Sequence, residues 1–102
     1  MNKYCIEYSK DAKQDLVDIK KYIKYNLNEP HTADKLIKKV KKEIDNLISN
    51  PEIYSIIDDD IIKMLELRKI IVVNYIVFYR ILKSKIQIVR IMYGRSNWIA
   101  LL

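Results

Sequence analysis

Between residues 68 and 98 the chain sets Arg68, Lys69, Arg80, Arg90 and Arg95 among Tyr75, Tyr79, Tyr93 and Trp98. Arginine presents a planar, permanently charged fork that matches phosphate or carboxylate oxygens, and aromatic rings offer faces for stacked bases or anchors for a protein. The combination suits RNA or an acidic protein surface. Long cations placed within β-branched runs must reach solvent or find an acceptor. Tyrosines and Trp98 at strand spacing are more often core residues than base platforms, so the arginines carry most of this reading.

Other chemistry-bearing residues point to little. Asp58, Asp59 and Asp60 are consecutive and cannot all turn toward one cation, and no calcium-loop spacing follows them, so they read as a solvated loop. His31 is the sole histidine, sits beside Pro30 in what reads as an interhelical turn, and is remote in sequence from the arginines. Cys5 has no histidine placed to activate it, so a nucleophile is not expected there. Neither a zinc pattern, a P-loop nor a dinucleotide fingerprint occurs, and the expectation is no metal and no cofactor.

The cations are unevenly distributed. Residues 1–60 hold 11 lysines against 12 acids, whereas residues 61–102 hold eight Lys or Arg against Glu66 alone, including all four arginines. A stretch of net charge +7 that is otherwise apolar reads as a folded basic surface for an acidic partner. The duller alternative is that lysines keep an isoleucine-rich sheet soluble.

Something must position these residues, and 102 residues that are 50% hydrophobic with one Gly and two Pro suffice for one compact domain, 1–102. Disorder and a disulfide scaffold are excluded. A lone cysteine and the lack of a signal-like N-terminus predict a cytoplasmic protein, and apolar runs such as Ile70–Val73 are far too short to span a bilayer.

The element order reads as α+β. Residues 3–8 alternate as a short strand. Ser9 offers a cap, and Ala12, Leu16, Ile19, Ile23 and Leu27 recur at helical spacing, predicting a helix over about 10–26. Pro30 interrupts it, and Thr32 is expected to cap a second helix ending at Asn50-Pro51, whose apolar stripe is flanked by Lys35, Lys38, Lys39, Lys41 and Lys42. The two should form an antiparallel hairpin. Strands follow at about 64–73, 75–82 and 86–93, with turns too short for parallel crossovers, so they make an antiparallel meander. Tyr75, Val77, Tyr79 and Ile81 share one face of the middle strand; Ile76, Phe78, Arg80 and Leu82 share the other. Both are apolar, so one takes the helix hairpin and the second is the functional candidate. Gly94 requires a positive φ or a close backbone approach, and the tail ending at Leu102 should pack.

With these elements placed, the whole chain resembles toxins of the RelE/ParE superfamily from bacterial type II toxin–antitoxin modules. The local likeness lies in Leu67–Val72, Asn74–Ile81, Val89–Arg95 and Trp98. It is similar to the ParE-like, plasmid-stabilisation branch, whose last strand runs into a Gly-Arg-Arg-Asp-Trp-like segment. Here that segment reads Gly94-Arg95-Ser96-Asn97-Trp98, departing at the second Arg and the Asp.

The resemblance implies one of two activities. RelE-like members cleave mRNA on the ribosome without metal, which needs cations around the phosphate and an acid–base group. The site would then be drawn from Lys69, Arg80, Arg90, Arg95 and Tyr93, but Ile76, Asn97 and Leu102 stand where RelE carries functional side chains. ParE-like members poison DNA gyrase by binding, which needs only a shaped, basic, apolar surface. That reading is the better fit, with Arg68, Lys69, Ile76, Phe78, Arg80, Arg90, Tyr93, Arg95 and Trp98 as contacts for target or antitoxin. Implied partners are a cognate antitoxin and gyrase, or ribosome and mRNA in the alternative, with no membrane; a homodimer and a toxin–antitoxin hetero-oligomer both stay open. A third reading is a degenerate toxin that keeps only antitoxin binding.

Overall fold

The computed structural model of the chain describes residues 4–94 and 98–102. Strand β1 (Cys5–Tyr8) leads into helix α1 (Lys10–Lys21), whose last turn widens into a π-helical turn over Tyr22–Asn26, and helix α2 (Pro30–Asp45) follows. Strands β2 (Arg68–Val72), β3 (Tyr75–Leu82) and β4 (Lys85–Tyr93) and the short helix α3 (Trp98–Leu101) complete the order. The sheet runs β1-β4-β3-β2, antiparallel except where β1 lies parallel to β4. The expected α+β plan of strand, helix hairpin, meander and packed tail is thus present. The parallel seating of β1 is an addition.

Ser9 joins three elements. Its hydroxyl accepts from the Ala12 amide at 3.0 Å, capping α1, and donates to the Val89 carbonyl at 2.7 Å, while its own N–H donates to the Ile88 carbonyl at 2.9 Å. The start of α1 is therefore fixed to β4.

The helix boundaries need correction. Pro30 is the first residue of α2 rather than the break before it, because a missing N–H costs nothing in the first turn. Thr32 is therefore not the cap, His31 belongs to the helix rather than to a turn, and α2 ends at Asp45 with a 3₁₀ turn over Asn46–Ile48. At the first strand of the meander, Lys63–Leu65 form a 3₁₀ turn and Glu66 takes a left-handed φ of 52°, so β2 begins at Arg68 and not at Met64. Gly94 has no positive φ; a Cβ there would lie 3.2 Å from the Asn74 carbonyl oxygen, which its N–H already meets at 2.8 Å, so close approach is its reason.

The helix hairpin packs on one sheet face. Ala12, Ile23, Ala33, Val40, Ile44 and Leu47 close over Ile70, Val72, Val77, Tyr79, Ile86, Ile88 and Ile91. The alternation expected for β3 holds, but in β4 the register slips opposite Phe78/Tyr79, so Val89 is an extra residue. The bulge lets Ile86, Ile88 and Ile91 all point to the helices. On the opposite face Ile76, Phe78 and Met92 form a second, smaller core beneath Ile57, Trp98 and Leu102.

Tyr79 is fully buried and its hydroxyl donates to the Pro51 carbonyl at 2.9 Å, tying the irregular 51–60 segment to the sheet. Burial pushes its phenol up to about 12, with the nearby Arg68 charge opposing that shift. A folded pKa above the unfolded value near ~10 means the unfolded chain loses its proton first, so stability falls as pH rises from about 10 to about 12. The loss should reach on the order of 2–3 kcal/mol. Urea midpoints measured between pH 9 and 11.5 should fall steeply for the native chain and less steeply for Tyr79→Phe. Tyr8 and Tyr75, also raised by burial, leave the variant a residual slope.

Candidate partner-binding site

The basic residues of the meander do not gather at one point. Lys69, Arg80 and Arg90 lie on the sheet face away from the helix hairpin, Arg68 on the opposite face at the start of β2, and Arg95 outside the described residues.

Most of these cations are engaged. Arg90 donates through Nε and Nη2 to the two carboxylate oxygens of Asp15 at 2.8 and 2.9 Å, and Asp15 also accepts the Ile91 amide at 2.8 Å. The side chains are 24% and 12% exposed, and the Asp15 hydrogen bond raises the Arg90 pKa. Arg90 is a strut between α1 and β4. Arg80 donates from Nε to Gln87 Oε1 at 2.7 Å, and Gln87 reaches Glu7, which also pairs with Lys85 at 2.9 Å. Lys85 lowers the Glu7 pKa and Glu7 raises that of Lys85. Arg68 donates to the Tyr54 carbonyl at 2.6 Å. Arg68 and Arg80 share a hollow of about 150 Å³ beside Ile56 and Met64.

The second sheet face is mostly covered. Trp98 stacks at a tilt on Phe78, with ring centroids 5.1 Å apart, and the Lys69 ammonium stands 5.6 Å above the Trp98 ring. Phe78 is fully buried and Ile76 nearly so, which leaves Lys69, Ile71, Arg80, Leu82 and the outer side of Trp98 as what this face presents. Tyr93 does not join them. It packs edge-on against Tyr75, with ring centroids at 5.7 Å, on the helix side of the sheet.

That pair floors a groove of about 880 Å³ between the closed end of the helix hairpin, where α1 turns into α2, and the β2–β3 turn. One wall is Ile19, Tyr22, Ile23 and Leu27; the other is Thr32, Lys35, Leu36 and Lys39; the lip is Val73 and Asn74. The π-helical turn carries Tyr22 and Ile23, and Asn28, at φ 53°, turns the chain back into α2. Val73 holds φ 58°, a strained value for a β-branched side chain, and stands at the lip with 58% of its surface exposed. Tyr22 and Leu27 are 52% and 51% exposed. The Tyr75 phenol is raised chiefly by burial, then by Tyr93 and Tyr22, which places three phenols together. The result is an open, largely apolar channel with lysines on one wall and Asp18 at its margin. Such a surface suits an amphipathic segment with acidic flanks.

Of the groove, the sequence reading offers Tyr75 and Tyr93 as candidate site residues but gives Tyr22, Leu27, Lys35, Lys39 and Val73 no such role. A signal was present: Tyr22, Tyr25 and Leu27 put more apolar surface at the end of α1 than the stripe needs. Among the described residues no helix is long and apolar enough to cross a membrane, and no cluster of His, Cys, Asp and Glu could hold a metal.

Residues 6–98 match the family model described as the ParE toxin of the type II toxin–antitoxin system, parDE. Among solved structures, a chain of the chromosomal ParDE TA system from P. aeruginosa superposes with a TM-score of 0.74 at 18% identity, covering 91% of this chain and 98% of that one. No curated protein matches the sequence.

Proposed function

Because the chain belongs to the ParE toxin family of type II toxin–antitoxin systems, we propose that it acts by binding DNA gyrase, with no chemistry of its own, and that a cognate antitoxin silences it by filling the groove. The observation that carries this reading is the groove itself: tyrosines and aliphatics left half exposed, with lysines on one wall, at the end of a sheet whose core is otherwise closed. Apolar surface of this kind marks a partner. A disordered antitoxin segment folding there would bury Tyr22, Leu27 and Val73 and set its acids against Lys35 and Lys39. The internal engagement of Arg68, Arg80 and Arg90 supports binding over cleavage, as does the position of Tyr93 on the other side of the sheet from Lys69, Arg80 and Arg90.

The test is supercoiling by purified gyrase with and without the protein, scoring inhibition and trapped cleaved DNA. Double-strand breaks that accumulate with toxin and vanish when antitoxin is added are the expected result. No effect from micromolar, well-folded protein would overturn the reading and direct attention to ribosome-dependent RNA cleavage.

A further inference from the structure

Residues 35–42 hold Lys35, Lys38, Lys39, Lys41 and Lys42 and no acid. All five side chains are exposed. Among the described residues none makes an ion pair; the one acid that α2 contributes to such a pair, Asp34, goes to Lys20 of α1 at 3.5 Å. The pattern differs from α1, where Asp11, Asp15 and Asp18 are interspersed among Lys10, Lys13, Lys20 and Lys21. Lysines three and four apart on one helix repel each other, so this band weakens α2 without an internal return.

Helical periodicity sorts the five. The buried line of α2 is Ala33, Leu36, Val40 and Ile44. Lys35, Lys38 and Lys42 fall on the opposite side in one row, Lys41 flanks the row toward α1, and Lys39 flanks it toward the groove, where it and Lys35 form part of the wall. At 1.5 Å per residue, Lys35 to Lys42 covers about 10 Å. Along one strand of a duplex that length holds about three phosphates.

We propose that the solvent face of α2 binds the phosphate backbone of duplex DNA, independently of sequence. Lysine ammoniums act as point charges for phosphates, and the row has no Arg, Asn or Gln to read base edges. A lipid surface is disfavoured because the apolar face of α2 is spent in the core, leaving nothing to insert. An acidic peptide would need apolar anchors beside the charges. Those lie in the groove, beyond Lys35 and Lys39. The surface goes beyond the proposed gyrase reading and stands whichever enzyme the toxin targets.

The experiment is fluorescence anisotropy of a labelled 20-base-pair duplex titrated with the full chain from 50 to 300 mM salt. The variant carries Lys38→Gln, Lys41→Gln and Lys42→Gln together, none of them in the groove wall. Gln matches Lys as a helix former, and the thermal melt of the variant checks that the fold is kept. The native chain should bind two unrelated duplexes within threefold of each other, with log K falling against log salt at a slope of about −3 to −4. The triple variant should flatten that slope by about 2.7. Absence of binding at 50 mM salt, or a slope unchanged in a folded variant, overturns the proposal. So does polyglutamate that displaces the duplex as effectively, charge for charge, as unlabelled DNA. All of these readings are independent of gyrase inhibition, so failure of one proposal leaves the other testable.

Discussion

Asp15→Ala should lower the melting temperature by about 15–30 °C, the largest effect of any single change outside the hydrophobic core. Asp15 meets three donors at once, the Arg90 Nε and Nη2 and the Ile91 amide, all within 2.9 Å. Alanine strands a mostly buried guanidinium and a backbone N–H next to the β4 bulge. Removing one partner of a buried, hydrogen-bonded pair costs about 3–5 kcal/mol, because the other charge is left without compensation. For a domain of this size each kcal/mol shifts the midpoint by roughly 4–8 °C, and total stability is only about 5–15 kcal/mol. Arg90→Met should be milder, since Asp15 keeps the Ile91 amide and the methionine fills the stem's space. Thermal melts of both variants decide the matter. A shift below about 5 °C for Asp15→Ala would reclassify the pair as an exposed one of little worth.

The second large effect is on binding. Tyr22→Ala should weaken antitoxin affinity by about 30- to 1,000-fold while moving the melting temperature little, since the side chain is half exposed in the free toxin. Large aromatics at the centre of a desolvated interface carry a disproportionate share of its energy, about 2–4 kcal/mol on truncation. Lys35→Glu should weaken the complex less, and its effect should fade with salt. Calorimetric titration at two salt concentrations separates the two contributions. An affinity that Tyr22→Ala leaves unchanged would remove the groove from the proposed neutralisation.

How much of this was legible in the sequence depended on whether the governing contact was local. The stripe of α2 and the alternation of Tyr75, Val77, Tyr79 and Ile81 report faces directly, because periodicity is a property of neighbouring residues. The bulge at Val89 is not legible that way, and it decides which side Ile91 and Tyr93 occupy. Arg90 looked like a site residue because the acid that claims it lies 75 positions earlier. Glu66 and Val73 reverse the chain with left-handed φ values that glycine or asparagine would have announced. The groove is the least legible feature, since it exists only once the helix hairpin has crossed the end of the sheet. Its one trace in the sequence is the surplus of apolar surface that Tyr22 and Tyr25 add beside Leu27 at the end of α1.

The parallel pairing of β1 with β4 bears on how quickly the protein reaches its native state. The β2–β3 and β3–β4 hairpins close over two residues each, but Glu7–Lys85, Ser9–Val89 and Asp15–Arg90 join positions 75 to 80 apart. Closing a loop of that span costs about 4 kcal/mol of chain entropy before any contact repays it, whereas the hairpins form locally. The meander should therefore assemble early, with the outer edge of β4 unpaired until Cys5–Tyr8 arrives. The time during which that edge can recruit a wrong neighbour is set by the most distant pairing in the chain, and the turns have little say in it.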